Sequence, residues 1–288
     1  MKAKHAALVA VGACLTGCGT LDRIALHSTA DILINGRGST LEEPDYELGR
    51  EAAASQLKLL EALLATDPGN RALHVMAAEG FGGAAFLFVE DAEPARAKGL
   101  YRRGRDHALA ALSGRRALRG LADRPLDDFS KALQETGRQD VPALFWAGFC
   151  WAGEINLSKD DAAALADLPR AVGLMSRVAE LDPSYHFAGS DLFFGVYYAS
   201  RPPLLGGDPQ RALKHFTAAQ RLTQDQYLMT SVLEARWYAV AVQDRALFKH
   251  LLAKVAESPS GRLPEARLTD EAAKRKAARL LEKIDDYF

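Results

Sequence analysis

The chain has almost no net charge. Lys and Arg number 36 against 37 Asp and Glu, a net of −1. That excludes the basic surplus or stripe of a nucleic-acid binder. Long apolar runs are missing too. Beyond the N-terminal segment no run approaches the roughly 18 residues of a membrane span, so the body reads as soluble. Cysteine is scarce, with Cys14, Cys18 and Cys150 the whole complement. The first two belong to the N-terminal segment discussed next. Cys150 is left alone, which excludes an internal disulfide. It lies in the dense apolar stretch 145–151 and reads as a buried, inert thiol.

Catalytic patterns are absent as well. The seven histidines include no His-Glu-x-x-His and no pair at metal-ligand spacing on one helix face. No glycine-rich loop leads to Lys-Ser or Lys-Thr, and no Gly-x-Ser-x-Gly elbow occurs. Asp127-Asp128, Asp160-Asp161 and Asp285-Asp286 are adjacent pairs. Adjacent helical residues point about 100° apart, so such pairs serve as caps or solvated faces rather than proton-sharing dyads. No metal, cofactor or catalytic residue is assigned, and the chain reads as a non-enzyme.

What is present begins at the N-terminus. Lys2 and Lys4 precede an apolar run, Ala6–Leu15, and then Leu15-Thr16-Gly17-Cys18. Ten helical residues rise only about 15 Å, half a bilayer core. The run is therefore a signal h-region rather than an anchor. The four residues that close it form a bacterial lipobox. Residues 1–17 are expected to be removed, leaving an acylated Cys18 that attaches the protein to a membrane outside the cytoplasm. Gly19, where an Asp would retain the chain at the inner membrane, points to the outer one. Residues 18–44 read as a lipidated tether, and 45–288 as the folded domain.

From Asp45 onward the text is helical. Alanine and leucine alternate with arginine, lysine and glutamate, all strong helix formers. Apolar stripes recur at three and four, as in Leu57, Leu60, Leu63 and Leu64. Asp67-Pro68-Gly69, Asp182-Pro183 and Asp208-Pro209 punctuate the helices. Asp208 before Pro209 suits an N-cap followed by Pro at the first helical position. Ser158 and Asp161 have capping-box spacing. Residues 114–137 read as a looser stretch, and Gly80-Phe81-Gly82-Gly83 as a close helix contact or kink.

The helices also repeat. Tetratricopeptide repeats pair two helices in about 34 residues, with small and large side chains at fixed places. The second-helix pattern (small, large four later, small three later) fits Ala97, Tyr101 and Gly104, and again Ala212, Phe216 and Ala219. Ala171, Met175 and Val178 fit in part. In the first helix Phe194-Gly195 with Tyr198 matches a large residue, glycine and a following aromatic, and Ala147-Gly148 with Trp151 fits in part. The expected fold is all-α, an α-solenoid of divergent tetratricopeptide-like helix pairs with insertions at 156–169 and 200–209.

Binding chemistry concentrates in the C-terminal half. Trp146, Trp151, Tyr198, Trp237 and Tyr238 bring apolar bodies with polar tips. Asn156, Arg201 and Gln243 follow aromatic helices and supply polar groups. These eight are the candidate ligand or partner contacts. The loop Arg201-Pro202-Pro203-Leu204-Leu205 is rigid and apolar at its tip, suited to a packed connector or to a partner contact.

Ordered strings in the same half resemble one family. Ala143-Leu144-Phe145-Trp146-Ala147-Gly148 leads to Leu157-Ser158-Lys159-Asp160-Asp161 and then Leu181-Asp182-Pro183-Ser184-Tyr185. Gly195-Val196-Tyr197-Tyr198-Ala199-Ser200-Arg201-Pro202-Pro203 continues into Leu204-Leu205-Gly206-Gly207-Asp208-Pro209. Tyr238-Ala239-Val240-Ala241-Val242-Gln243-Asp244-Arg245 and Ala277-Ala278-Arg279-Leu280-Leu281 close the series. Together they resemble the T component of tripartite ATP-independent periplasmic (TRAP) transporters, with Ala241 where that pattern has proline. The resemblance covers residues 46–288. It implies a periplasmic lipoprotein with helical repeats, a homotrimer that binds the transporter's periplasmic solute-binding subunit. It also implies help in delivering a hydrophobic ligand to the permease. The alternative is a tetratricopeptide scaffold lipoprotein for envelope or outer-membrane assembly. An apolar pocket favours the first and an open concave groove the second.

Overall fold

The computed structural model describes residues 32–33 and 35–288. The signal segment 1–17, the lipobox and Cys18 lie outside the described residues. Within them there are thirteen α-helices and no strand, so the chain is all-α. In order they are α1 (Arg37–Leu41), α2 (Tyr46–Thr66), α3 (Arg71–Ala84), α4 (Pro94–Ser113), α5 (Leu126–Gln134), α6 (Val141–Asn156) and α7 (Ala162–Ala166). Then come α8 (Leu168–Leu181), α9 (Tyr185–Ala199), α10 (Pro209–Leu222), α11 (Leu228–Leu233), α12 (Arg245–Glu257) and α13 (Arg267–Glu282). Two helices change pitch without breaking. α3 runs on as a π-helix over Ala85–Val89, and α11 does so over Glu234–Ala239.

Short acidic or amide side chains start many of these helices. Asp45, Asn70, Asp161, Asp208 and Asp244 each accept a backbone N–H of the first turn. Such a cap satisfies a donor that the helix itself leaves orphaned. Pro209 follows Asp208 at the first helical position. At the expected capping box, Asp161 itself is the cap, and Ser158 Oγ donates to the Glu154 carbonyl at 2.7 Å instead. The stretch 114–137 is more ordered than its breakers suggest. It contains α5, whose Phe129, Ala132 and Leu133 are buried and which packs on α8. The helical period of those three residues is masked in sequence by Gly120, Pro125 and Gly137.

Consecutive helices pack side by side: α2 on α3, α3 on α4, α4 on α6, α6 on α8, α9 on α10, and α12 on α13. The small-large-small trios form these contacts. Ala97 and Tyr101, Ala171, Met175 and Val178, and Ala212, Phe216 and Ala219 are all at most 1% exposed. In each case a glycine of the neighbouring helix receives the large member. A Cβ on Gly153 would lie 2.7 Å from the Tyr101 ring, one on Gly148 3.1 Å from Met175, and one on Gly195 2.9 Å from Phe216. Gly82 and Gly104 likewise close around Cys150, whose Sγ would sit 2.7 Å from a Cβ on either. Cys150 is buried and free, and burial pushes its thiol well above the usual range.

The helix formed by Arg71–Val89 is long and apolar enough to cross a membrane by length and composition alone. Here α2 and α4 flank it. The C-terminal helix α13 turns back to touch α1, α2 and the π-helical Ala85–Val89. Leu268 of α13 seats on Gly49 of α2, where a Cβ would meet it at 2.6 Å. The succession of helices thus curls until its two ends meet, enclosing the space described next.

Candidate ligand cavity

A cavity of about 840 Å³ lies inside this curl, lined by residues of α1–α3, α6, α9, α11 and α13. Both π-helical segments face it, through Phe86, Leu87 and Phe88 on one side and Arg236 and Trp237 on the other. A π turn widens a helix and shifts the register of the side chains it presents, and such turns recur at functional sites. The opposite walls are stripes at helical spacing: Phe145, Trp146 and Phe149 from α6, and Leu192, Phe193, Val196 and Tyr197 from α9. Phe86 meets Phe149 edge to face, with centroids 5.6 Å apart.

The first turn of α9 is unusual. His186, Phe187 and Ala188 have φ of 48°, 57° and 60°, a left-handed turn made of residues with side chains. Each such residue costs about 1–2 kcal/mol in a left-handed helix. Gly189 follows, where a Cβ would strike the Phe145 ring at 2.4 Å. The turn places His186 against the cavity, its ring centroid 4.8 Å from that of Trp146 and 5.0 Å from that of Phe145. Burial, with Arg37 adding to it, pushes the imidazole down to about 3. It is neutral at any physiological pH.

The charged lining divides into two sets. Glu79 is paired with Arg37. Glu90 accepts from Tyr101 Oη at 2.6 Å and Lys276 Nζ at 3.0 Å. Asp91 accepts from Lys276 at 2.9 Å and pairs with Arg279 at 2.8 Å. The second set lies on aromatic faces. The Arg201 guanidinium sits 3.7 Å over the Tyr197 ring and donates to the Tyr197 carbonyl at 3.3 Å. Arg236 is held between Trp237 at 4.8 Å and Tyr287 at 4.6 Å. Lys159 Nζ lies 5.6 Å from the Trp237 ring.

Of the eight candidates read from sequence, Trp146, Asn156, Arg201 and Trp237 line the cavity. The others are placed elsewhere. Trp151 is 4% exposed in the core between helices, below Arg105. Tyr198 faces away from the cavity, stacked on His215 at 5.7 Å with Arg211 above it. Tyr238 packs against the core of the C-terminal helices. Gln243 ends its helix at φ 55° and donates to the Val240 and Tyr287 carbonyls. Ala241, where the family pattern has proline, is the last residue of that helix. The loop after Arg201 exposes Leu204 almost entirely, while Leu205 and Pro202 reach the cavity lining.

Tyr197, His186 and Arg236 also line the cavity and were not among the eight candidates. Helical spacing could have found the first, since Phe193, Val196 and Tyr197 share one face. The other two depend on a left-handed turn and a π turn, which spacing does not reveal. A histidine pair was also missed, His74 and His107, whose Nδ1 atoms approach to 3.0 Å across two helices.

The fold is that of an all-α protein whose helices enclose an aromatic-walled cavity. Comparison with known proteins makes this more specific. The family model of the TRAP transporter T-component matches residues 42–288. The chain therefore belongs to that family, an accessory component of TRAP transporters. Among its relatives is an uncharacterized protein of Treponema pallidum (strain Nichols), 25% identical over 267 residues, which covers 86% of this chain and 81% of the relative.

Proposed function

We propose that this protein is the lipid-anchored periplasmic T component of its transporter. In this reading it docks the solute-binding subunit and holds a hydrophobic ligand in the central cavity. The observation that carries the reading is the cavity itself: about 840 Å³, walled by Phe, Trp, Leu and Val side chains, within the usual size range of small-molecule sites. Acylation at Cys18 would hold the body beside a membrane, and Gly19 favours the outer one. Residues 18–44 would serve as tether, with α1 as its docked end. Fixing a binding partner near the membrane raises its effective concentration there without any new contact. A homotrimer of tetratricopeptide-like subunits is the assembly that family membership suggests. The scaffold alternative needs an open concave groove. α13 fills the position where one would open, by packing on α1, α2 and Ala85–Val89.

Two experiments test this reading. Full-length protein carrying Cys18→Ser should leave the membrane fraction; persistent association would overturn the anchor. The same soluble protein should capture a periplasmic solute-binding protein from periplasmic extract. Repeated recovery of envelope assembly factors instead would overturn the transporter role.

A further inference from the structure

The cavity wall carries a charge imbalance that its fold does not resolve. Seven basic side chains, Arg37, Lys159, Arg201, Arg236, Lys276, Arg279 and Lys283, line it against three acidic ones, Glu79, Glu90 and Asp91, in a chain whose net charge is −1. Arg37, Lys276 and Arg279 neutralise those three acids. Among the described residues no carboxylate pairs with Arg201, Arg236 or Lys159. Arg201 is half-buried, with only the Tyr197 carbonyl and ring beside it, and burial pushes its guanidinium down from the ordinary value. Arg236 is likewise partly buried and braced by two aromatic rings. Lys159 reaches the same Trp237 indole from the loop after α6.

Taking cations out of water is unfavourable unless an anion or hydrogen-bond acceptor compensates. Low-dielectric walls of one sign also focus the field on whatever enters. Aromatic faces hold the guanidinium groups in place but neutralise nothing. Apolar and aromatic side chains make up most of the remaining lining, with Thr40, Gln56, Asn156, Ser200 and Thr269 as scattered polar groups, so a ligand there needs an apolar body as well as an anionic group.

We propose that the cavity takes a single-chain amphiphile with an anionic head. The acyl chain lies along Phe145, Phe149 and Phe193, and the head meets Arg201, Arg236 and Lys159. This rests on the reading of the cavity as a ligand site and adds the chemistry of the ligand. A carboxylate and a phosphate monoester would both satisfy these donors, as in a fatty acid or a lysophosphatidic acid.

The test uses full-length Cys18→Ser protein and four probes: palmitate, palmitoyl lysophosphatidic acid, methyl palmitate and hexadecyltrimethylammonium. Each competes with a fluorescent acyl probe. An anionic probe should bind most tightly and the cationic one most weakly. The double variant Arg201→Gln, Arg236→Gln should weaken the anionic probes by roughly tenfold or more, as expected for lost charge-assisted hydrogen bonds. It should leave methyl palmitate unchanged, which shows that the cavity is intact. Whether palmitate or the lysophosphatidic acid loses more identifies the head as carboxylate or phosphate. Equal binding of the ester and the acids, or equal losses in the variant, would overturn the anionic head while sparing the apolar-ligand reading. Failure of all four probes to bind would overturn both.

Discussion

Lys276 Nζ lies 3.0 Å from a Glu90 oxygen and 2.9 Å from an Asp91 oxygen, across 186 and 185 residues of chain. One ammonium on the last long helix thereby ties the turn that follows the first π-helical segment. Arg279 reaches Asp91 from the next turn of the same helix, and Arg275 reaches Glu47 on α2 at 3.3 Å. This row of cations joins the last long helix to α2 and to the turn after the first π-helical segment, where the two ends of the helix succession meet.

Lys276→Met should therefore open the closure. The Lys276 side chain is 9% exposed, while Glu90 and Asp91 are 19% and 33% exposed. Two acids would lose their shared partner. Breaking a fully buried pair costs about 3–5 kcal/mol, and partial exposure reduces this to about 2–3 kcal/mol. Urea unfolding measures the loss, and adding Asp91→Asn should restore part of it. An unchanged midpoint would show that the closure rests on apolar contacts such as Leu268 on Gly49.

The Gly195–Phe216 contact is the clearest test of the helix-pair packing. A Cβ on Gly195 would meet three ring atoms at 2.9 to 3.0 Å. Phe216 is fully buried and has little room to yield. Gly195→Ala should cost about 1–3 kcal/mol by overpacking. In a double-mutant cycle with Phe216→Leu the two effects should fail to add, because the smaller side chain vacates the clash. Additive effects would mean that the two helices separate freely.

That contact also shows what was legible in the sequence. Ala212, Phe216 and Ala219 announce a second helix, and Phe194-Gly195 announces the first, because spacing along a helix reports which residues share a face. The cavity was legible only in part. Neighbouring aromatics such as Tyr197 and Tyr198 face opposite environments, and composition alone does not separate them. Trp146 and Trp237 were readable as polar-tipped aromatics, but Arg236 was hidden because a π turn sets its direction. The closure was not legible at all. Lys276, Arg279, Glu90 and Asp91 look like solvated faces until the fold brings α13 to the other end of the chain.

Asp270 introduces a pH dependence. It is fully buried and accepts from Leu228 N at 3.2 Å and Gly261 N at 2.9 Å. Burial, with a contribution from Glu271, outweighs those donors and pushes its carboxyl up from 3.8 to about 6. The folded state then binds more protons than the unfolded one between these two values. Stability from this group is full below about pH 4 and declines as pH rises to about 6, on the order of 1–3 kcal/mol. Asp270→Asn should remove that decline. Urea unfolding from pH 4 to 7, wild type minus variant, reads the difference, and parallel curves would contradict it.

Gln224 offers a gain in stability. It follows the end of α10 at φ 52°, exposed, in the position where helices commonly place glycine. The Asp225 N–H donates back to the Gln220 carbonyl at 2.7 Å, closing the turn. Gln224→Gly should relieve the left-handed strain and stabilise by about 0.5–1 kcal/mol after its entropy cost. Thermal unfolding checks it, and a lower midpoint would show that the side chain matters more than the backbone.

Gly83 separates the fold from the cavity. It lies on the same helix as Gly80 and Gly82, yet a Cβ there would meet nothing within 4 Å, and the residue lines the cavity. Gly80 and Gly82 are held small by Leu57 and by Cys150 with Trp146. Gly83→Ala should therefore stabilise the helix by about 0.5–1 kcal/mol. Gly83→Phe should fold equally well and project its ring into the ligand space. A fluorescent acyl probe should then bind weakly or not at all, while the circular dichroism spectrum and the melting midpoint stay at or above those of the unmodified protein. Undiminished probe binding by Gly83→Phe would place the ligand outside this cavity.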